Sequence, residues 1–126
     1  IQYKVVTKKP GGIAGENMPR YYPVLTKRRT VDLRDVMELI SERSAFSRAD
    51  VIGVVESLIH LIPELLQGGN NVKLDGLGTF SVHARSDGRD HAEEVTLRDI
   101  KELKISFLPD KRIKEKMKST TFIKVK

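Results

Sequence analysis

Lysine and arginine are the residues of this sequence best equipped for chemistry, and the candidate binding residues among them lie in three places along the chain. The first place is the uninterrupted run Lys27, Arg28 and Arg29. The other two lie in the later half of the chain: Arg85, Arg89, Lys101 and Lys104, and then Lys111, Arg112 and Lys114. Clustered cations neutralise phosphates in proteins that bind nucleic acid, whereas a run of three is also typical of a solvated turn. The pattern favours an anionic partner.

The other reactive residue types lack the spacing that catalysis or metal binding requires. The sequence has no cysteine, which excludes disulfides and thiolate metal sites. Its three histidines have no metal-like spacing, and no Ser–His–Asp arrangement is present. Gly76-Leu77-Gly78 is too short for a dinucleotide fingerprint. We therefore expect no enzymatic activity, no cofactor, no metal and no small-molecule substrate.

Length and charge set further bounds. A chain of 126 residues suits one domain with a single core. Its formal net charge of +6 is unevenly distributed. Lys/Arg outnumber Asp/Glu by seven to one in residues 1–30 and by thirteen to nine in residues 73–126. In residues 31–72 the balance is reversed, with seven Asp/Glu and three Lys/Arg. No apolar run approaches the roughly 20 residues of a membrane span, and the first residues show no signal peptide. We expect a cytoplasmic protein with no membrane partner.

Two helices are predicted in the acidic middle of the chain. Residues 32–43 carry one apolar stripe with the helical period. The second helix opens at Ser47, stops at Gly68 and is apolar around most of its circumference. In so short a chain such a helix indicates burial against a partner subunit. The alternative is a central core helix that the same chain covers.

The segment after these helices predicts a β-corner. Apolar and polar residues alternate here as in a half-buried strand, with Phe80 among the apolar ones. Gly76 and Gly78 lie one residue apart within this run, which marks a tight turn or a close backbone approach. We therefore expect a strand over residues 72–75, a turn at Gly76–Gly78 and a strand over residues 79–85.

Both ends of the chain are β-rich. Residues 1–8 and 20–26 read as strands, and Pro23 restricts the second of them to an edge or a bulge. The polar stretch 83–97 has few core residues and is expected to project or be mobile. A hairpin or arm from about 79 to 108 is the simplest shape. A short basic helix over residues 111–118 follows, and the β-like tail is expected to pair with the N-terminal strand.

This order of elements and motifs resembles the bacterial histone-like HU/integration-host-factor family. The family's hallmark Gly-Phe-Gly-x-Phe stands here as Gly76-Leu77-Gly78-Thr79-Phe80, and Phe46-Ser47 resembles the Leu-Ser that opens the family's second helix. Ile105-Ser106-Phe107, followed by Lys111 and Lys114, resembles its Pro-x-Phe and Gly-Lys-x-Leu-Lys segment. The chain is similar to a longer HU-like subgroup with an N-terminal extension.

The resemblance implies an α+β, IHF-like fold in an intertwined homodimer. A helical base of two helices would carry a β-sheet with a protruding β-arm and a basic C-terminal helix, here with extra N- and C-terminal strands. We therefore expect a single HU-like domain over residues 1–126. Its parts are the N-terminal β extension (1–30), the helical dimerisation base (31–69), the sheet and β-arm (70–108), the C-terminal helix (109–118) and the terminal strand (119–126).

The resemblance also implies a non-catalytic, largely sequence-independent architectural protein of the bacterial nucleoid that binds double-stranded DNA. The three cation clusters named above are then the expected DNA contacts, and Gly76, Gly78 and Phe80 shape the turn beneath the arm. The family's arm-tip proline, which wedges between base pairs, has no counterpart, since no proline lies between Pro63 and Pro109. We therefore expect less sharp kinking of DNA.

The composition of the arm tip keeps a second interpretation open. Four carboxylates lie there: Asp87, Asp90, Glu93 and Glu94. Acidic residues next to phosphate are unfavourable, and they suit a basic protein surface instead. The alternative is an HU-like dimeric protein–protein interaction module with weak or no DNA binding.

Overall fold

The computed structural model describes residues 1–8, 18–26 and 28–125 of the chain. The described part alternates strands and helices and includes two short 3₁₀ turns. In chain order the elements are β1 (Gln2–Lys8), β2 (Arg20–Leu25), α1 (Leu33–Arg43), α2 (Arg48–Gln67), β3 (Val72–Leu74), β4 (Gly78–Ser86), 3₁₀ turns at Ala92–Glu94 and Leu97–Asp99, β5 (Ile100–Pro109), α3 (Lys111–Met117) and β6 (Ile123–Lys124).

The chain forms two compact units, and the smaller one joins its two ends. This terminal unit comprises Ile1–Val31 and Met117–Lys126. β1 lies in the middle of its sheet, antiparallel to β2 and parallel to β6. Pro23 lies in the edge strand β2, as expected, because an edge position needs no N–H. The predicted pairing of the tail is confirmed, since Val125 N–H donates to the Tyr3 carbonyl at 2.8 Å.

The larger unit, Asp32–Lys116, is called the body, and its helices begin where the sequence predicts. Asp32 caps α1, its side chain accepting a hydrogen bond from Asp35 N–H at 3.0 Å. Ser47 and Asp50 cap each other's backbone at the start of α2, in a reciprocal capping box. α2 ends at Gly68, whose N–H donates to the Glu64 carbonyl at 3.2 Å.

The sheet of the body is a meander with β4 in the middle, between β3 and β5. β4 and β5 form the predicted hairpin, which pairs Gly78 with Pro109 at its base and Arg85 with Glu102 near its far end. The register then shifts by one residue, which makes Lys101 the extra residue of a β-bulge. The paired part of this hairpin is called the arm, and residues 87–99 are its tip.

The body does not complete its core within one chain. Among the described residues, the buried apolar side chains are Val51, Leu66 and Val72, and only the first two belong to α2. Ile59 of the same helix is 43% exposed. Much of the apolar surface of the body is therefore exposed in the single chain.

The described elements form the expected α+β fold, with two helices followed by a sheet, an arm and a basic helix. The added strands at both ends are also present. Two expectations stay predictions. One is the division of a single domain into five parts, which differs from the two compact units described above. The other is the intertwined homodimer.

Candidate nucleic-acid interface

The two faces of the arm differ in chemistry because side chains alternate along paired strands. One face, called the polar face, carries the following residues: Thr79, Ser81, His83 and Arg85 of β4, and Glu102, Lys104 and Ser106 of β5. The opposite face is apolar: Phe80, Val82 and Ala84 of β4, and Leu103, Ile105 and Phe107 of β5. The arm can therefore present cations to one partner and apolar groups to another.

The predicted contact residues Arg85 and Lys104 share the polar face. Arg85 lies opposite Glu102, with 4.0 Å between Nη1 and Oε2, so its charge is partly compensated. Lys104 lies opposite His83, whose Nε2 is 3.1 Å from Ser106 Oγ. Within the described part of the chain Lys104 forms no ion pair, which leaves its ammonium group available to an anion.

A glycine turn fixes the start of α3 beside the base of the arm. Leu77 N–H donates to the Leu74 carbonyl at 2.9 Å, and Gly76 has φ 88° at the third position of the turn, the type II pattern. Asp110 then accepts from Gly76 N–H at 2.8 Å through Oδ2 and donates its own N–H to the Leu77 carbonyl at 3.0 Å. These bonds position the cations of α3 next to the turn.

Arg112 lies directly across this turn. A Cβ atom built on Gly76 would be 2.9 Å from Arg112 Nη1 and 3.3 Å from its Cδ, so the guanidinium stem covers the glycine. Lys111 and Lys114 are exposed on the same short helix. The predicted cluster of α3 is thus brought together on the surface beside the turn, with Arg112 held by packing and the two lysines free to extend.

Gly78 is required for close approach rather than for an unusual backbone angle. A Cβ atom there would lie 2.5 Å from both the Leu108 carbonyl oxygen and Phe107 Cζ. Phe80 packs on the ring of Phe107, with 4.9 Å between ring centroids. The three residues expected to shape the turn, Gly76, Gly78 and Phe80, therefore lie at the base of the arm.

The tip of the arm has a polar centre that the sequence reading did not anticipate. Asp99 is only 2% exposed. Its Oδ1 accepts from Arg89, at 2.9 Å from Nε and 2.6 Å from Nη2, and its Oδ2 accepts from Thr96 N–H at 2.9 Å. Its carbonyl oxygen accepts from Asp87 N–H at 2.9 Å. The stretch expected to project or be mobile therefore has its own hydrogen-bonded frame.

The hydrogen bonds around Asp99 shift the pKa values of Asp99 and Arg89. Hydrogen bonding from the Arg89 guanidinium, and then from Thr96 N–H, lowers the pKa of Asp99 below its usual value. The same hydrogen bond and the charge of Asp99 raise the pKa of Arg89. Asp99 is thus ionised and Arg89 charged at neutral pH, and the pair holds the tip together.

Two of the predicted contact residues are consequently engaged by carboxylates. Arg89 is bound to Asp99, as described above. Lys101, the bulge residue, lies with Nζ 3.4 Å from Asp87 Oδ2. An exposed pair of this kind contributes only about 0–1 kcal/mol, so a phosphate can replace Asp87 as the partner of Lys101. Arg89 has the stronger structural role.

The remaining predicted contacts belong to the terminal unit. Lys27 lies outside the described residues. Arg28 and Arg29 are exposed between β2 and α1. Both arginines belong to the terminal unit, whereas the polar face of the arm belongs to the body.

Sequence reasoning missed the role of Asp99 in the tip and the link from Asp110 to the turn, and only the first of these had a signal in the sequence. Thr96 and Asp99 stand three residues apart, the spacing of a capping box, and the structure forms that box. Asp110 gives no such signal, because its partner Gly76 is 34 residues away. A contact between distant residues depends on the hairpin that brings them together.

Two kinds of feature, a membrane-spanning helix and a cluster of metal-ligating side chains, are absent from the described residues. None of the helices there is long and apolar enough to cross a membrane. No group of three or more histidine, aspartate or glutamate side chains in that part of the chain is arranged to hold a metal ion.

Solved structures resemble the chain at the level of fold. A candidate bacterial DNA-binding protein from Bacteroides vulgatus superposes with a TM-score of 0.67 and 14% identity, covering 98% of this chain and 47% of its own. HU from Anabaena, solved as a cocrystal with DNA, superposes with a TM-score of 0.55 and 18% identity over 71% of this chain and all of its own. At these identities the likeness concerns the fold alone.

Sequence comparison adds relatives and a family. Integration host factor subunit alpha from Caulobacter vibrioides is 37% identical over 59 residues, which is 47% of this chain. The chain spans 59% of the length of that relative. Residues 1–124 match the family described as HU domain fused to wHTH, Ig, or glycine-rich motif, which includes the terminal strands as well as the body. The resemblance inferred from the glycine motif is therefore confirmed, and the chain belongs to this HU-domain family.

Proposed function

We propose that this protein is a non-catalytic architectural protein that binds double-stranded DNA as a homodimer with little sequence preference, in the cytoplasm as part of the bacterial nucleoid. The observation that carries the proposal is the Gly76–Asp110 hydrogen bond of 2.8 Å, which holds the start of α3 and its cations beside the turn at the base of the arm. The similarity to an integration host factor subunit and to an HU protein solved with DNA supports it.

The cations on this surface suit phosphates better than base edges. Lys104, Lys111 and Lys114 are exposed, and lysine acts on phosphate as a mobile point charge. Contacts to phosphate set the position of a protein on the duplex but read no sequence. Binding through this surface is therefore mainly electrostatic and weakly selective.

The exposed apolar surface of the body supports a homodimer. Ile59 of α2 and Ile105 on the apolar face of the arm are 43% and 70% exposed in the single chain. Exposed apolar surface on this scale marks an interface, and symmetric pairing of two identical chains is the commonest way to cover it. Two copies would also present two arms to one duplex.

The tip sets a limit on what the bound DNA undergoes. Its carboxylates outnumber its arginines, five to two over residues 87–99. Kinking by insertion costs a few kcal/mol of unstacking for each step, and a net acidic tip adds repulsion from phosphates. We therefore propose that the arms hold the duplex along their paired strands, with little insertion at the tip.

The proposal is tested by titrating a random duplex at several salt concentrations. The logarithm of the binding constant should fall linearly with the logarithm of salt, with a slope of about −0.9 for each phosphate neutralised. The double variant Lys111→Ala/Lys114→Ala should weaken binding and make the slope shallower by about one for each phosphate that is no longer neutralised. The charge-matched control is Arg34→Ala/Arg43→Ala on α1, which should leave the slope unchanged.

The competing function is a protein–protein module, which the acidic composition of the tip favours. It predicts no duplex shift even at low salt and binding of a basic polypeptide that depends on Glu93 and Glu94. Affinity for duplex that does not respond to salt, or equal losses in the two double variants, would contradict the DNA-binding proposal.

A further inference from the structure

Positive charge is concentrated in the terminal unit rather than in the body. Residues 1–31 and 117–126 together hold ten Lys/Arg and one Glu, a formal net charge of +9. Residues 32–116 hold thirteen Lys/Arg and sixteen Asp/Glu, a net charge of −3. Polyanions are drawn to the most positive part of a molecule. The terminal unit is therefore a stronger electrostatic target than the body that carries the arm.

One face of the small sheet in this unit is aromatic. The register pairs Tyr3 with Leu25 and Thr7 with Tyr21, and alternation along the strands puts all four on the same side of the sheet. Phe122, just before β6, lies against Tyr3 and Leu25. Tyr21 is 70% exposed and Phe122 59% exposed. These residues, with Pro23, are called the aromatic face.

The aromatic face contains an open cavity of about 410 Å³. Among the described residues, its lining is apolar or aromatic: Tyr3, Pro23, Leu25 and Phe122. A flat apolar ring fits such a lining better than a charged group does, because the lining presents ring surfaces and aliphatic carbon. The cavity therefore suits a planar aromatic group carried by an anionic ligand.

The terminal unit also carries cations close to these aromatic residues in register or in sequence. Lys124 is paired with Tyr3 in the register of β6 and β1. Arg28 and Arg29 follow β2 within a few residues and are exposed. The described residues of the terminal unit include no aspartate or glutamate. No carboxylate among the described residues of the unit would therefore repel an anionic backbone that runs beside the aromatic side chains.

We propose that the aromatic face binds an unpaired nucleic-acid strand, with bases stacked on Tyr21 and Phe122 and one base in the cavity, while its phosphates contact Lys124, Arg28 and Arg29. Aromatic platforms flanked by cations bind single strands in this way, because every base has a π face. The bases of an intact duplex stack on one another, so their faces are not available to these side chains. This second binding surface does not depend on duplex binding by the body.

The chain contains no tryptophan, so Phe122→Trp provides a single fluorescent reporter within the full-length protein. Adding a short oligo(dT) should quench this fluorescence to saturation, because a base stacks directly on the indole. Polyglutamate of matched charge has no bases and serves as the control polyanion. Equal quenching by polyglutamate would overturn the proposal.

Substitutions then separate stacking from charge and from folding. Stacking contributes about 1–3 kcal/mol for each base, so Tyr21→Ala and Phe122→Leu should each weaken oligo(dT) binding by about 5- to 150-fold. Tyr21→Phe keeps the ring and should bind as the unaltered protein does. Tyr22→Ala is the matched control, because Tyr22 pairs with Val6 and its side chain points to the opposite face of the sheet.

The two binding surfaces give distinguishable results. Tyr21→Ala and Phe122→Leu should retain duplex binding, and Lys111→Ala/Lys114→Ala should retain oligo(dT) binding. Circular dichroism and thermal melts of every variant check that the sheet is folded. Unchanged oligo(dT) affinity in folded Tyr21→Ala and Phe122→Leu, or a loss equal to that of Tyr22→Ala, would refute the aromatic face as a binding site whatever the body does.

Discussion

Replacing Gly78 by alanine should destabilise the joint between body and arm more than any other glycine-to-alanine change in the described part of the chain. An added Cβ would lie 2.5 Å from the Leu108 carbonyl oxygen and from Phe107 Cζ, whereas ordinary contacts begin at 3.4 Å. The carbonyl belongs to the paired strand β5 and cannot retreat without stretching the ladder. The ring of Phe107 can move only by leaving Phe80, whose centroid is 4.9 Å away.

The expected magnitude follows from these two displacements. Overpacking a closely packed position costs about 1–3 kcal/mol, and disturbing an aromatic pair costs about 0.5–1.5 kcal/mol. We therefore expect Gly78→Ala to lower the free energy of unfolding by about 2–4 kcal/mol, which corresponds to roughly 10 °C in melting temperature for a chain of this size. Urea titration at a fixed protein concentration measures the change, since stability of an oligomer depends on concentration.

Gly88 in the arm tip supplies the matched control. No heavy atom lies within 4 Å of a Cβ built there, and its φ is outside the left-handed region. Gly88→Ala should therefore leave stability unchanged or raise it by about 0.4–1 kcal/mol through the unfolded state. If the two alanine variants differ by less than about 0.5 kcal/mol, within the range of ordinary surface substitutions, the close approach at Gly78 does not hold the arm as described.

Two further substitution experiments probe the dimer and the tip. Ile59→Glu places a charge on an apolar position of α2 that is 43% exposed in the single chain. If the chain is a monomer, the free energy of unfolding should change by about 1 kcal/mol at most; if it is a dimer, the mass measured by sedimentation should fall from about twice 14.2 kDa to half of that. A dimer that is unchanged by the substitution would exclude α2 from the interface. Asp99 has a lowered pKa in the folded protein. Its contribution to the stability of the tip is therefore complete above its ordinary pKa of 3.8, and it is lost as the pH falls from that value through the lowered pKa of the folded state. The protection of Thr96 N–H against hydrogen exchange, relative to its intrinsic rate, should accordingly fall only below about pH 4. In Asp99→Asn this protection should be reduced already at neutral pH. Equal protection in Asp99→Asn and the unaltered protein would show that the carboxylate charge does not fix the tip.

Local patterns predicted most of the fold. Ser47 with Asp50 and Asp32 with Asp35 are capping pairs within one turn, so the starts of α1 and α2 can be read from neighbouring residues. Gly76 marks the corner for the same reason, because turn geometry is a local property. These features are close in sequence, and the structure adds little to them.

Contacts across the chain were less predictable. The frame around Asp99 depends on Arg89 from the opposite side of the tip, and the link from Asp110 to Gly76 depends on the whole hairpin. The distribution of charge between the two units likewise depends on contacts between residues that are distant in the sequence. The pairing of β6 with β1 places Lys124 beside the N-terminal strand β1. The basic C-terminal residues thus belong to the terminal unit, and the body, residues 32–116, is net acidic although the sequence divided in order gives it a basic half.

The most direct test of the account is a structure, or a site-resolved cross-linking map, of the full chain with a short duplex. The account predicts phosphates within hydrogen-bond reach of Lys104, Lys111 and Lys114, with two copies of the chain around one duplex and the tip carboxylates away from the DNA backbone. Phosphates that contact the terminal unit alone, with the polar face of the arm empty or against protein, would contradict it.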